Sequence, residues 1–357
     1  MRVATGLAMG SEADPALATQ AVSAAMDKAG LTIAGSVLLF LTSDFARDPV
    51  PALRAAAKAA NCTRVMGCSA TGIFTEQEWV MDAPAAVAMV FGEGFSLQAP
   101  AHLHADTVVL TLAAPNAINT TWLSDPGQRF GGVSGDATGQ GPFSVWENGK
   151  GAVAGHCEAV MQGVRSAVAA AHGLKLLTRP QYVGSSEGYD LVELGGQAAL
   201  QALREACPFE EPLPLHRLMA VFGDDPEQIR QTRYQQAALV SGNEADSSVT
   251  LARPVQAGQY LSWALRETGT AQADLQQTAA QLEKQLAMKP HFGLLFSCLG
   301  RGPYFYGGVD MDLALLAKRY PGMPLIGFYG NGEIAPVNGQ SQLLQYSAVL
   351  GLFAADA

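Results

Sequence analysis

Short, uninterrupted apolar runs alternate with amphipathic segments along the chain. The run SVLLFL at 36–41 is bounded by turn residues, a pattern that predicts a buried strand. Asp14 followed by Pro15 is typical of a helix start, and apolar residues then recur every four positions until Gly30 ends the helix. The same periodicity predicts a long helix from about 270 to 288, and the segments 147–150 and 185–188 are predicted to be hairpin turns.

A unit of strand, helix, strand, glycine-rich hook and strand occurs twice with clear similarity. LLFLTSDF (38–45), VMGCSATGIF (65–74) and AVAMVF (86–91) are matched by LLFSCLGRG (294–302), LIGFYGNGEI (325–334) and AVLGLF (348–353). Two weaker copies lie between them: VVLTLAAP (108–115) with RFGGVSGDAT (129–138), and RLMAVFGDD (217–225) with ALVSGNEAD (238–246). Self-similarity of this kind indicates a pseudo-symmetric fold.

The predicted fold class is α/β in the mixed α+β sense. We expect two pseudo-symmetric domains built from these strand-helix-strand cassettes, with buried mixed sheets covered by helices. The segment from Cys207 to Pro214 is turn-rich and non-periodic, so the sequence predicts one domain over 1–207 and a second over 208–357.

Composition narrows the class of partner. The 357 residues include 22 Lys and Arg against 32 Asp and Glu, which gives a net charge of −10, and only 15% of residues are charged. An acidic chain without a basic run is a poor nucleic-acid binder. Its apolar runs are much shorter than the ~20 residues of a membrane-spanning helix, so we expect no membrane insertion. The low charge favours extensive buried layers and is compatible with a homo-oligomer.

The cysteines and the first residues indicate a cytoplasmic protein. The cysteine count is odd and no pair has the spacing CxxC, which is typical of reduced thiols. The segment MRVATGLAMGSEAD has a short apolar run followed by acidic residues, so we expect no signal peptide there.

Known catalytic and cofactor motifs do not fit the hooks. GCSATG has Thr71 where a nucleophile elbow needs glycine, which leaves a hydrolase unsupported. Gly330, Gly332 and Ala335 match a loose dinucleotide pattern, but Pro336 follows and no helix begins there. No metal-ligand spacing is present, so we expect no metal site.

Two charged residues in the last copy are the best binding candidates. Arg301 follows one strand and Glu333 lies in the hook after its predicted neighbour, so the two could face each other across a cleft lined by the hooks. A guanidinium and a carboxylate are the groups that grip a zwitterion such as an amino acid. A structural ion pair between the two residues is an equally good reading. The predicted ligand-binding set is Cys68, Ser69, Ser134, Cys298, Arg301, Tyr304, Phe328, Asn331 and Glu333.

The motifs S-C-x-x-R-G at 297–302 and G-F-x-x-x-G-E-I-x-P at 327–336 resemble those of the FIST family. The resemblance covers about 38–352 and implies an N-terminal FIST domain over 1–207 and a C-terminal FIST domain over 208–357. It also implies a sensory module for small ligands, with amino acids suggested. Family members occur in bacteria with histidine kinases, cyclic-di-GMP enzymes and chemotaxis components, and in eukaryotes joined to an F-box.

The resulting expectation is a non-catalytic, cytoplasmic, bacterial sensor of a small ligand that signals to a separate partner protein. The ligand is expected to be an amino acid or small carboxylate, and no cofactor is required. One alternative within the family is a haem-binding nitric oxide sensor, with His156, His172 or His291 as the axial ligand. Another is an enzyme that uses Cys298 as its nucleophile, and a purely structural scaffold is a further alternative.

Overall fold

The computed structural model describes residues 2–151, 153–209 and 212–356, and its mixed helix and strand content confirms the predicted fold class. It divides into two compact units, Met1–Ala171 with Leu275–Ala357, and His172–Asp274. The predicted boundary segment, of which 210 and 211 lie outside the described residues, falls inside the second unit. The compact units are therefore divided differently from the two domains expected from the sequence.

The bounds of the elements are as follows. The first thirteen strands are β1 (Val3–Met9), β2 (Ser36–Thr42), β3 (Val65–Ala70), β4 (Gly72–Thr75), β5 (Trp79–Val80), β6 (Ala85–Phe91), β7 (Ser96–Gln98), β8 (Val108–Ala113), β9 (Gln128–Val133), β10 (Val145–Trp146), β11 (Val153–Ala154), β12 (His156–Gln162) and β13 (Val164–Ala171). The second unit contains β14 (Leu174–Leu176), β15 (Gln181–Glu187), β16 (Asp190–Leu194), β17 (Gln197–Ala198), β18 (Leu218–Gly223), β19 (Gln235–Asn243), β20 (Ser248–Leu251) and β21 (Tyr260–Arg266). The last strands are β22 (Phe292–Cys298), β23 (Leu325–Gly330), β24 (Glu333–Val337), β25 (Gln340–Leu344) and β26 (Ala348–Ala355). The helices are α1 (Pro15–Ala29), α2 (Val50–Ala60), α3 (Thr120–Leu123), α4 (Ala199–Ala206), α5 (Pro226–Arg230), α6 (Thr268–Leu286) and α7 (Met311–Arg319).

Local signals placed the clearest elements correctly. The Asp14 side chain accepts a hydrogen bond from the backbone N–H of Ala16 at the start of α1, and Gly30 ends that helix in the left-handed conformation. Strand β2 and helix α6 lie where the apolar patterns predicted them. The predicted turn at 147–150 lies between β10 and β11. The prediction at 185–188 is displaced, because 185–187 belong to β15 and the turn to β16 lies at 188–189.

The first unit consists of three six-stranded sheets with one shared plan. Their strand orders are β1-β6-β2-β3-β10-β11, β7-β12-β8-β9-β24-β25 and β13-β26-β22-β23-β4-β5. In each sheet the third and fourth strands are parallel, and the other neighbours are antiparallel. Three of the four predicted copies therefore share one architecture.

The three sheets exchange strands in a cycle. After β3, β9 and β23, the chain passes a glycine-rich hook and adds a hairpin to a different sheet: β4–β5 join β23, β10–β11 join β3, and β24–β25 join β9. The prediction of a fourth copy is wrong, because its strands β18 and β19 lie in the second unit and pair antiparallel. There the pairing runs from β21 through β15, β16, β20, β19 and β18 back to β21, which closes an antiparallel barrel.

Both faces of the first and third sheets are covered. Helices α1 and α2 pack on the first sheet and α6 and α7 on the third, with leucine and alanine side chains at the contacts. The inner faces of the sheets share a core rich in phenylalanine, in which Phe40 lies 5.0 Å from Phe328 and 6.2 Å from Phe296 between ring centroids. Among the described residues, no helix combines the length and apolar character needed to cross a bilayer.

Each parallel pair of strands meets at a glycine that has no room for a side chain. Gly67, Gly131 and Gly327 lie opposite Leu39, Thr111 and Leu295 in the three registers. A Cβ atom at these glycines would lie 1.7, 1.8 and 1.7 Å from the carbonyl oxygens of those same partners. The main chains therefore approach closely at one equivalent position in all three sheets.

We expect Gly67→Ala and Gly327→Ala each to lower the free energy of unfolding by more than about 3 kcal/mol, because the added methyl meets a backbone carbonyl that cannot move without its sheet. Urea denaturation followed by circular dichroism measures this. Gly269→Ala is the control: it lies in α6 with open space around its Cα and should change stability by less than about 1 kcal/mol. Equal, small effects in all three variants would contradict the close-approach argument.

Candidate functional site

The three hooks comprise residues 69–72, 133–135 and 330–332, which include the last residues of β3, β9 and β23. They meet inside the first unit. The hydroxyls of Ser69 and Ser134 lie 3.1 Å apart, and the Ser134 hydroxyl donates to the backbone carbonyl of Ser69 at 2.6 Å. The Val133 N–H donates to the Gly332 carbonyl at 2.8 Å, and the Asn331 N–H donates to the Val133 carbonyl at 3.1 Å. The hooks are therefore joined by direct hydrogen bonds.

The hook centre is packed rather than open. Ser69 and Ser134 are fully buried, and the Ser69 hydroxyl also accepts from the backbone N–H of Ser144 at 3.1 Å. The Asn331 amide lies against Gly135, where a Cβ atom would be 2.7 Å from its Oδ1. The hooks were expected to line a cleft. Instead, the side chains of Ser69, Ser134 and Asn331 pack in the space between the hooks.

Arg301 is 2% exposed and is held by an ion pair with Asp312. Its Nε donates to Asp312 Oδ2 at 2.8 Å, and its Nη1 donates to the carbonyl of Ala171 at 2.7 Å. The Tyr306 hydroxyl donates to the other oxygen of Asp312 at 2.7 Å. Arg301 thus forms an ion pair with a carboxylate at the start of α7.

Glu333 is 0% exposed and lies in a setting that favours its neutral form. Its Oε2 accepts from the Ser347 N–H at 3.2 Å, whereas its Oε1 has no hydrogen-bond partner among the described residues. Burial raises the pKa of this carboxyl well above its ordinary 4.5, and the Ser347 N–H, the Arg301 charge and the Cys298 thiol oppose that rise. Glu333 is therefore better described as a buried acid than as a carboxylate that awaits an ammonium group.

Asp310 is another buried acidic residue, and the sequence patterns did not single it out. Asp310 caps α7 by accepting from the Leu313 N–H at 2.8 Å, and it also accepts a short hydrogen bond from the Tyr329 hydroxyl. Burial raises the pKa of both Asp310 and Tyr329. The spacing Asp-Met-Asp directly before LALL is a helix-start signal that could have identified Asp310.

The other predicted ligand-binding residues are dispersed. Phe328 belongs to the aromatic core, and Cys68 is buried in the same core, where burial and then Cys157 raise the pKa of its thiol. Cys298 is 7% exposed, whereas Tyr304 is 61% exposed and donates to Asp82 at 2.7 Å. Arg301, Cys298 and Glu333 are brought together, but Tyr304 and Phe328 face different environments.

The three histidines proposed for haem are engaged in other contacts. His156 stacks on Trp122 with ring centroids 4.9 Å apart, and His291 Nδ1 accepts from the Ala355 N–H at 3.3 Å. In the second unit, His172 is buried and packs against Tyr234. These contacts give the haem alternative no support. Within the described residues, no cluster of three or more potential metal ligands is present.

Two cavities in the first unit lie away from these residues. One of about 200 Å³ is lined by 123–127 and 339–341 together with Ala105. The other, of about 380 Å³, is lined by Arg64, Met66, Leu97, Gln98, Ala99, Glu147, Asn148, Glu158 and Ala159. Neither cavity has a predicted ligand-binding residue in its walls.

Comparison with known families identifies the segment that contains the buried residues Cys298, Arg301 and Glu333. Residues 199–336, which include Cys298, Arg301 and Glu333, match the FIST C domain. This segment is a FIST C domain, which supports membership of the FIST family. A FIST C domain indicates a sensory module of signal transduction. The N-terminal FIST domain stays a prediction, because the match does not include residues before 199.

Several proteins are similar to this chain. An uncharacterized protein of Mycobacterium tuberculosis is 26% identical over 396 residues, which cover 99% of this chain and 100% of that protein. An uncharacterized protein of Mycobacterium bovis is 29% identical over 202 residues, and the match spans only about half of its length, 52%. F-box only protein 22 of Homo sapiens is 47% identical over 45 residues, which are 12% of this chain and 11% of that protein.

We expect Asp312→Asn to lower the free energy of unfolding by about 3–5 kcal/mol, because it leaves the buried Arg301 cation without its counter-charge. Urea denaturation at neutral pH measures the loss. Arg165→Gln is the matched control: its ion pair with Asp356 is exposed, so it should cost less than about 1 kcal/mol. A loss in Asp312→Asn as small as that in the control would show that the buried pair is not needed.

The raised pKa of Glu333 gives its contribution to stability a defined sign. The unfolded carboxyl ionises near 4.5 while the folded one keeps its proton to higher pH, so this contribution is complete below that value and is lost as the pH rises. Glu333→Gln, which stays neutral, should therefore gain free energy of unfolding relative to the wild type as the pH rises above about 5, at up to about 1.4 kcal/mol per pH unit.

Denaturation curves of both proteins at several pH values measure this change, with the exposed Glu93→Gln as a control whose difference from wild type stays constant. A Glu333→Gln difference that is also constant with pH would show that Glu333 is ionised in the folded protein.

Proposed function

We propose that this protein is a non-catalytic sensory module that binds a small ligand, an amino acid or small carboxylate, and passes the bound state to a separate partner protein. A histidine kinase, a cyclic-di-GMP enzyme or a chemotaxis component would be such a partner. The FIST C domain supports the sensory part of this proposal.

The interlocked hooks are the observation that carries the proposal. Each hook sends a hairpin into a neighbouring sheet, and hydrogen bonds join the second hook to the first and to the third. A displacement at one hook therefore shifts strands in two sheets. A ligand that favours one arrangement of the sheets would thereby change surfaces distant from its site, as a sensor requires.

The buried acid provides a group that can respond to such a shift. Glu333 has one carboxyl oxygen without a partner in the described structure, an arrangement that costs about 1–3 kcal/mol. An arrangement of the hooks that gave this oxygen a donor would recover part of that free energy. A ligand that favours such an arrangement would therefore shift the centre toward it.

The Cys298 environment favours a binding protein over an enzyme. A nucleophilic thiol needs access to substrate and a neighbouring positive charge. Cys298 is mostly buried and lies against the Glu333 carboxyl, while the nearby Arg301 is paired with Asp312. We therefore do not extend the proposal to Cys298-dependent catalysis.

A thermal-shift screen of the whole chain against amino acids, small carboxylates, amines and nucleobases tests the proposal. At a concentration of about 100 Kd a ligand adds about 2.7 kcal/mol of stability, so we expect at least one compound to raise the Tm by about 5 °C. Isothermal titration calorimetry with that compound should give saturable binding, and heat-denatured protein should give none. A library in which no compound either stabilises or binds would contradict the proposed function.

A further inference from the structure

The cavity of about 380 Å³ lies between the edges of the first and second sheets. Met66 lies in β3, Arg64 directly precedes that strand, and Glu147 directly follows β10, so these three lie on or beside the first sheet. Leu97 in β7 and Ala159 in β12 belong to the second sheet. Its volume falls in the lower part of the range of small-molecule sites, about 300–1,000 Å³.

The cavity has an apolar floor and a polar rim. Met66, Leu97 and Ala159 are buried and belong to the central core. The polar rim consists of Arg64, Gln98, Glu147, Asn148 and Glu158. Buried apolar surface beside a few polar groups is the usual composition of a small-molecule site.

One unpaired charge of each sign remains at the rim. Glu158 is neutralised by Arg129, whose Nε donates to its Oε1 at 2.6 Å, and it also accepts from the Thr111 hydroxyl at 3.2 Å. Arg64 and Glu147, by contrast, form no ion pair with any residue in the described part of the chain. The cavity therefore offers a free guanidinium and a free carboxylate beside apolar surface.

The equivalent places in the other two sheets lack this combination. In the third sheet, Glu76 reaches the start of β23, where it accepts from the Leu325 N–H at 3.2 Å and from the Thr5 hydroxyl at 2.6 Å. In the second sheet, the smaller cavity has Asp125 as its charged side chain and no cation in its walls. The three sheets share one architecture, but of the described cavities only the one beside the first sheet has both charges. The architecture alone therefore does not account for Arg64 and Glu147.

We propose that this cavity binds a small zwitterion of the α-amino acid class with an apolar side chain. Arg64 binds the carboxylate, Glu147 binds the ammonium group, and the side chain packs on Met66 and Leu97. This inference rests on the proposed ligand-binding function and moves the site away from Arg301 and Glu333, whose polar groups are buried. A ligand here bridges two sheets that exchange strands at the hooks, which connects the cavity to the hook centre.

Calorimetric titration of the full chain with L-leucine, L-methionine and L-phenylalanine tests the assignment. We expect saturable binding of at least one of them. The analogue that lacks the amino group and the analogue that lacks the carboxylate should each bind at least about tenfold more weakly, because each loses one charged contact. Arg64→Gln and Glu147→Gln should each weaken binding of the intact amino acid by a similar factor.

The controls are Arg54→Gln and Glu93→Gln, which remove exposed charges of the same type outside the cavity. Arg64 and Glu147 are themselves exposed, so their variants should keep the wild-type Tm. Amino-acid binding that survives both cavity substitutions would overturn the site but leave the proposed function standing. Stabilisation by other compounds only, without binding of the three amino acids, would overturn the ligand class, and no binding by any compound would instead contradict the proposed function.

Discussion

The first unit depends on the close approach of two main chains at Gly67, Gly131 and Gly327. No Cβ atom fits between each glycine and the carbonyl of the parallel strand beside it. This contact sets how closely each parallel pair packs, and the hook that follows sends the chain out of its own sheet. All three sheets have this glycine contact and the hook after it. Each sheet is therefore completed by a hairpin that follows a hook of another sheet. The result is an interlocked unit whose sheets cannot separate without losing backbone hydrogen bonds.

The interlocking decides what kind of chemistry the centre can support. Polar groups carried into the centre lose water, and so they must satisfy one another. Ser69 and Ser134 do so directly, and Arg301 is matched by Asp312. Glu333 and Thr71 do not, since Glu333 Oε1 and Thr71 Oγ1 have no partner in the described residues, and burial raises the pKa of Glu333. Free charges of both signs occur instead at the sheet edges, where Arg64 and Glu147 line a cavity.

Patterns confined to a few neighbouring residues predicted much of the fold. The cap at Asp14, the apolar run of β2 and the periodicity of α6 each depend on contacts along one segment, and each was correct. The hook motifs around Arg301 and Glu333 also led to the family, which the FIST C match confirms. Their partners could not be read in the same way. Asp312 lies on a later helix, and its pairing with Arg301 depends on how that helix packs.

The sequence alone therefore determined the clearest helices and strands, three copies of the repeat and the family resemblance, because these follow from short-range spacing and from residue types. Tertiary structure decided which strands pair and which charges are buried. The fourth predicted copy shows the limit: its apolar runs resemble the others, yet β18 and β19 pair antiparallel in a separate barrel. The cavity shows it as well, since Arg64, Gln98, Glu147 and Ala159 come from four separate segments. Strand exchange places these segments side by side, and no local pattern encodes an exchange between sheets.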